Sequence, residues 1–71
     1  MSKIYVVRYH DGYDMWYQED AYTNKQGCID NLINNDFIED IDSKEEDSYF
    51  HHDEVYGRTD YAIIEQWDLN N

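Results

Sequence analysis

Proline is absent from this 71-residue chain, cysteine occurs once, glycine three times, and lysine and arginine together only five times. Each scarcity excludes something. The lone Cys28 cannot close an internal disulfide, so a disulfide-stapled miniprotein is ruled out. The glycines, Gly12, Gly27 and Gly57, are scattered, so no glycine-rich phosphate loop is present. Five basic residues stand against 17 acidic ones, a formal charge of −12. Phosphates attract Lys and Arg, so this balance argues against direct nucleic-acid binding. No apolar run approaches the roughly 18–20 residues needed to span a bilayer. The start shows no basic stretch followed by an apolar one, as a leader peptide would. The expectation is a single acidic domain over residues 1–71, acting in the cytoplasm and away from membranes.

What is abundant decides whether such a chain folds. A mean hydropathy of −1.00 with this charge is compatible with disorder. Eight Tyr, two Trp and two Phe, 17 % of the residues, argue the other way. Aromatic rings bury large areas and offset ordering entropy, and acidic disordered tails are poor in them and usually contain proline. A core this small is marginal unless it packs densely or a partner helps, and a homodimer is one such partner.

Lys3 to His10 (KIYVVRYH) is β-branched and aromatic on both alternating faces, as a covered strand would be. Asp11-Gly12 is a hairpin signal, and Asp14 to Tyr22 returns as a more polar strand. Thr23-Asn24-Lys25-Gln26 matches a capping box opened by Thr23. The helix it starts runs to about Asn34 or Asn35, with Cys28, Ile29, Leu32 and Ile33 as its apolar stripe. Tyr61 to Leu69 closes the chain as a strand, with Tyr61, Ile63, Glu65, Trp67 and Leu69 on one face. The spacing predicts an α+β fold: a three-stranded antiparallel sheet, ββαβ in order 2-1-3, with one helix on one face. Between helix and last strand, residues 36–60 read as a long acidic connection. Ser43-Lys44-Glu45-Glu46 is a second capping signal there, enough for one or two helical turns.

Few residues point to chemistry. His51-His52-Asp53-Glu54 gathers four metal-ligating side chains, but adjacent histidines on a strand face opposite ways, so a solvated polar loop is expected. Asp40 to Glu46 lacks the glycine and the terminal glutamate of a calcium loop. Cys28 sits among apolar neighbours that raise a thiol pKa, which suits a small hydrophobe better than a nucleophile. With 17 carboxylates, no one pair singles itself out for acid–base work. No enzyme, metal site or cofactor is expected.

Charge speaks to partners instead. The segment 36–54 carries nine acids: Asp36, Glu39, Asp40, Asp42, Glu45, Glu46, Asp47, Asp53 and Glu54. Carboxylates two apart on a strand lie about 6.6 Å apart, close enough to a phosphate repeat to occupy a basic groove. Tyr17 and Trp16, just after the first hairpin, are candidate anchors, because aromatic residues are enriched at interfaces. If Ile4 and Val6 face the helix, Tyr5 and Tyr9 lie on the open side; the opposite choice exposes Arg8 and His10.

The Ile4-Tyr5-Val6-Val7 strand, the Asp11-Gly12 hairpin, the short capped helix and the Ile63-Ile64-Glu65-Gln66-Trp67 strand resemble small phage-encoded acidic proteins. In size and acidity the chain is similar to phage inhibitors of the DNA-mimic type, which act against CRISPR or restriction systems. That resemblance implies a non-catalytic inhibitor whose partner is a basic nucleic-acid-binding host protein. The first alternative is an acidic accessory or structural interaction module with no nucleic-acid-related target; the second is a metal-binding domain using His51, His52, Asp53 and Glu54.

Overall fold

The computed structural model describes residues 2–18 and 20–69. In chain order they form β1 (Ser2–His10), β2 (Met15–Tyr17), α1 (Lys25–Asn34), β3 (Ile38–Glu39), β4 (Ser48–Asp53) and β5 (Arg58–Leu69). The strands make a five-stranded sheet in the order β2-β1-β5-β4-β3, and every neighbouring pair is antiparallel. No helix among the described residues is long and apolar enough to cross a membrane.

The expected three-stranded ββαβ sheet is therefore wrong. The segment expected as a connection, residues 36–60, supplies β3, β4 and the first residues of β5. Two local devices build this extra hairpin. Asp53 accepts hydrogen bonds from the amides of Val55 and Tyr56 (2.9 and 3.3 Å), and Gly57 takes φ 62, where glycine avoids the Cβ penalty. Tertiary pairing then carries β4, whose own sequence, SYFHHD, is a weak strand former.

The first hairpin uses the same chemistry. Asp11 accepts from the amides of Tyr13 and Asp14 (2.9 and 2.8 Å), and Gly12 takes φ 93. The returning strand is shorter than the expected 14–22. β2 ends at Tyr17, Gln18 N–H still bonds to Val7 O (2.9 Å), and Tyr22 bridges Tyr5 further along β1. Glu19, within the expected strand, lies outside the described residues.

The helix also starts one residue later than its capping box implied. Asn24, not Thr23, is the cap, accepting from Gly27 N–H at 2.8 Å; asparagine caps at least as well as threonine. Gln26 does not reach back but donates to Asp30 (2.8 Å). Gly27 has a packing reason: a Cβ there would meet the Tyr22 ring at 2.7 Å. The helix lays Cys28 and Leu32 on Val7, Tyr49, Ala62 and Ile64, with Tyr5, Tyr9, Tyr22, Ile29 and Phe37 around them. Ile33, expected on the buried stripe, is exposed.

Sheet parity settles which face is covered. Val7, Tyr5 and Tyr9 face the helix with their partners Ile64, Gln66 and Ala62. Ile4, Val6, Arg8 and His10 face the other side with Trp67, Glu65, Ile63 and Tyr61. The face expected for the Leu69 side chain lies outside what is described.

Candidate functional site

The uncovered face is organised in rows that cross the strands. One row runs through all five: Met15, His10, Tyr61, Phe50 and Ile38 are successive register partners on β2, β1, β5, β4 and β3. His10 and Tyr61 stack with ring centroids 4.9 Å apart and planes 15° from parallel. Met15, Ile38 and Tyr61 are exposed, so the row reaches solvent at both edges and at its middle.

The neighbouring row holds Tyr17, Arg8, Ile63 and Ser48, and the chain continues past β3 so that Asp40 N–H bonds to Ser48 O at 2.8 Å. Here the face is polar and tied together. Arg8 lies 3.3 Å from Glu65 and 3.8 Å from Glu45. Glu65 also accepts from the Tyr17 hydroxyl (3.3 Å) and from Trp67 Nε1 (3.1 Å). Tyr17 and Trp67 meet edge to face at 5.5 Å, closing over β1, which accounts for the burial of Val6 on a face that has no helix. Arg8 Nε is buried without a hydrogen-bond partner among the described residues.

The β3–β4 connection borders these rows. It is not the second short helix that Ser43 to Glu46 implied but a turned loop held by its serines. Ser43 Oγ accepts from Glu45 N–H (3.2 Å), Ser48 Oγ donates to Glu45 O (3.1 Å), and Asp47 takes φ 58 to re-enter β4.

The nine acids of segment 36–54 do not form one row. Asp40, Asp42, Glu45, Glu46 and Asp47 gather in this loop, at the Ser48 end of β4. Asp53 and Glu54 lie at its other end, about 17 Å away for five strand steps. Glu39 is on β3 and pairs with Tyr49 on the helix-covered side. Asp36 ends the helix with φ 65. Several are engaged: Asp47 pairs with Lys25 (3.0 Å), Glu45 with Arg8, and Asp53 holds its turn. Trp16 and Tyr17 part company: Trp16 stacks on Tyr9 (6.0 Å) on the helix side, while Tyr17 joins the open face.

Three of the five basic residues pair with carboxylates of the same chain. Besides Arg8 and Lys25, Arg58 pairs with Asp60 at 3.0 Å. The hydrogen bond and charge of Asp47 hold Lys25 above the usual lysine range, and Asp60 does the same for Arg58. The amides of Asp14 and Tyr13 in the first hairpin turn hold the Asp11 carboxyl below its ordinary value. His51 packs on Phe37 (5.6 Å) on the helix side, whereas His52 Nδ1 lies 2.8 Å from Thr59 Oγ1 on the open side. Among the described residues no three His, Cys, Asp or Glu side chains are grouped to hold a metal ion.

Sequence reasoning put Tyr61, Glu65 and Trp67 on one face of the last strand and left Arg8 and His10 as one of two choices for the open side; it missed Phe50 and the register that joins them all in one surface. The signal was the alternation within β1 and β5, but it needed the register between them. No family model, curated protein or solved structure matches this chain.

Proposed function

We propose that the protein is a non-catalytic inhibitor of the phage or mobile-element kind, binding a basic nucleic-acid-handling protein in the host cytoplasm in place of nucleic acid. The observation that carries this reading is the distribution of charge. The chain carries a net charge of −12, and Arg8, Lys25 and Arg58 are already matched to carboxylates of the same chain, so the excess carboxylates are left to act outward. Long-range attraction of that kind accelerates encounter with a basic surface, while packed aromatic residues slow release. The two acidic groups flank β4, and the aromatic row crosses between them.

A second reading, an acidic interaction module with no nucleic-acid-related target, draws on that same row, whose apolar contact would need no groove. Competition separates the two. A partner captured on immobilised protein is challenged with the duplex or guide nucleic acid it handles, and the paired variant Glu46→Lys with Glu54→Lys is compared in binding kinetics. Both residues are exposed, one in each acidic group, so the fold should be little affected. Mimicry requires that nucleic acid displace the protein and that the reversals slow association and flatten its salt dependence. Unchanged association, with nucleic acid failing to compete, leaves the interaction-module reading in its place.

A further inference from the structure

Beside the aromatic row lies an open hollow of about 480 Å³. Its lining is Phe50, Tyr61, His52, Thr59, Asp40 and Asp42. The elements fix each of these. Phe50 and Tyr61 are register partners on β4 and β5, as are His52 and Thr59 two residues along on the same face, and the His52–Thr59 contact of 2.8 Å ties that wall together. Asp40 is anchored by its amide to Ser48 O, and Asp42 follows it in the exposed part of the loop. The floor is thus aromatic and one rim is anionic. No lysine or arginine lines it; Lys44 belongs to the adjoining hollow of about 340 Å³, with His10 and Glu45.

These groups select among occupants. A phosphate or carboxylate would be repelled by Asp40 and Asp42. An apolar side chain would cover two carboxylates without giving them a partner, which costs free energy. A cation meets both features at once, because the ring face attracts positive charge and the carboxylates accept its N–H donors. A guanidinium does so better than an ammonium: it is planar, weakly hydrated, and can stack on a ring while its edge bonds a carboxylate. We infer that this hollow is a docking pocket for an arginine side chain of the partner protein, stacked on Phe50 and Tyr61 and hydrogen-bonded by Asp40 and Asp42. The inference rests on the partner being a basic protein, and it names the point at which that partner is gripped.

The pocket is tested without the partner. N-acetylarginine amide is titrated into the isotope-labelled protein while backbone amide shifts are followed, with the neutral citrulline analogue and N-acetyllysine amide as parallel probes. Saturable shifts are expected at residues 40, 42, 50, 52, 59 and 61, weaker with the lysine probe and lacking with citrulline. Tyr61→Leu and Asp42→Asn should each weaken arginine binding about fivefold, while Glu54→Gln, which removes the same charge elsewhere, should weaken it less than about twofold. Asp42 is an exposed loop residue, so its variant remains a fair test if Tyr61→Leu disturbs the sheet. Equal losses for Asp42→Asn and Glu54→Gln, shifts spread over all acidic residues, or an equal response to citrulline would each overturn the pocket. Such a failure is distinct from that of mimicry: nucleic acid could still displace the protein from its partner with this hollow unoccupied. Arginine binding without that competition would keep the pocket and remove the mimicry.

Discussion

The helix-covered face of the sheet carries Val7, Tyr49, Ala62 and Ile64 beneath Cys28 and Leu32, all of them buried. The opposite face carries a similar density of apolar and aromatic groups, yet Met15, Tyr17, Ile38, Tyr61 and Trp67 remain exposed there. One face is closed by packing and the other is held open by charge. On the covered side a ten-residue helix excludes water from the middle of three adjoining strands. On the open side Glu65 faces Arg8 in an ion pair and accepts hydrogen bonds from Tyr17 and Trp67, which holds the two rings without burying them. A rigid, exposed aromatic surface is what a binding protein needs, because little side-chain entropy is then lost on docking.

The largest effect that tests this contrast comes from Leu32→Ala. Leu32 is fully buried, and truncating such a residue costs about 2–5 kcal/mol. A domain of this size holds roughly 4–10 kcal/mol in total, so the urea midpoint of the variant should fall to about half that of the parent or lower. Tyr61→Ala, on the open face, should cost about 1 kcal/mol, because its ring is already in contact with water. Comparable losses at the two positions would mean that the open face is a second core, which a further copy or partner normally covers.

A smaller effect is expected from Glu65→Gln. The substitution keeps the size of the side chain but removes the charge that faces Arg8 at 3.3 Å, and it weakens the bonds from Tyr17 and Trp67. Both partners of the ion pair are more than two-thirds shielded from water, so the expected loss is about 1–2 kcal/mol. Urea midpoints of the two proteins at low and moderate salt measure it, and the gap should narrow as salt screens the pair. Identical midpoints would show that the open face is set by strand pairing alone.

How much of this was legible beforehand depends on the range over which each residue's partner lies. Asp11 and Gly12 make their turn with neighbours two and three residues away, and Cys28 and Leu32 share a helix face by spacing alone, so both could be read directly. β4 could not. Ser48 to Asp53 includes two histidines and an aspartate, and it becomes a strand only because β5 offers it a paired edge. The turn that joins them, from Asp53 to Gly57, did carry a readable signal: an aspartate followed within four residues by glycine, the same chemistry as the first hairpin. The open-face network lay further out of reach. Arg8 and Glu65 stand near opposite ends of the chain, and only the β1–β5 register brings them together. Alternation alone separates Trp16 from Tyr17, but which of them shares the open face with Arg8 follows from where the helix lies.

Alkaline titration gives the finest measure of the contrast, since it reports how dry the covered face is. Burial raises the Tyr9 hydroxyl above its ordinary value, with Tyr22 and Cys28 nearby adding to it. Burial likewise raises Tyr49, aided by Glu39 and Asp47, and it raises the Cys28 thiol. In each case the folded pKa exceeds the unfolded one. The associated stability is therefore fully present below the unfolded value and is lost as pH rises through the folded value. The loss should begin near pH ~9, where an unfolded thiol ionises, and steepen above pH ~10 with the phenols. Lys25, raised by its bond to Asp47, acts in the same direction. Urea midpoints at stepped alkaline pH give the slope, and Tyr49→Phe and Cys28→Ala should each make it shallower by removing one ionising group. Phenolate absorbance should appear for Tyr9 and Tyr49 together with unfolding rather than ahead of it. A stability that stays flat to pH ~11, with Tyr9 and Tyr49 ionising in the folded state ahead of unfolding, would mean that water reaches the rings beneath the helix. The two faces would then differ in charge but not in dryness.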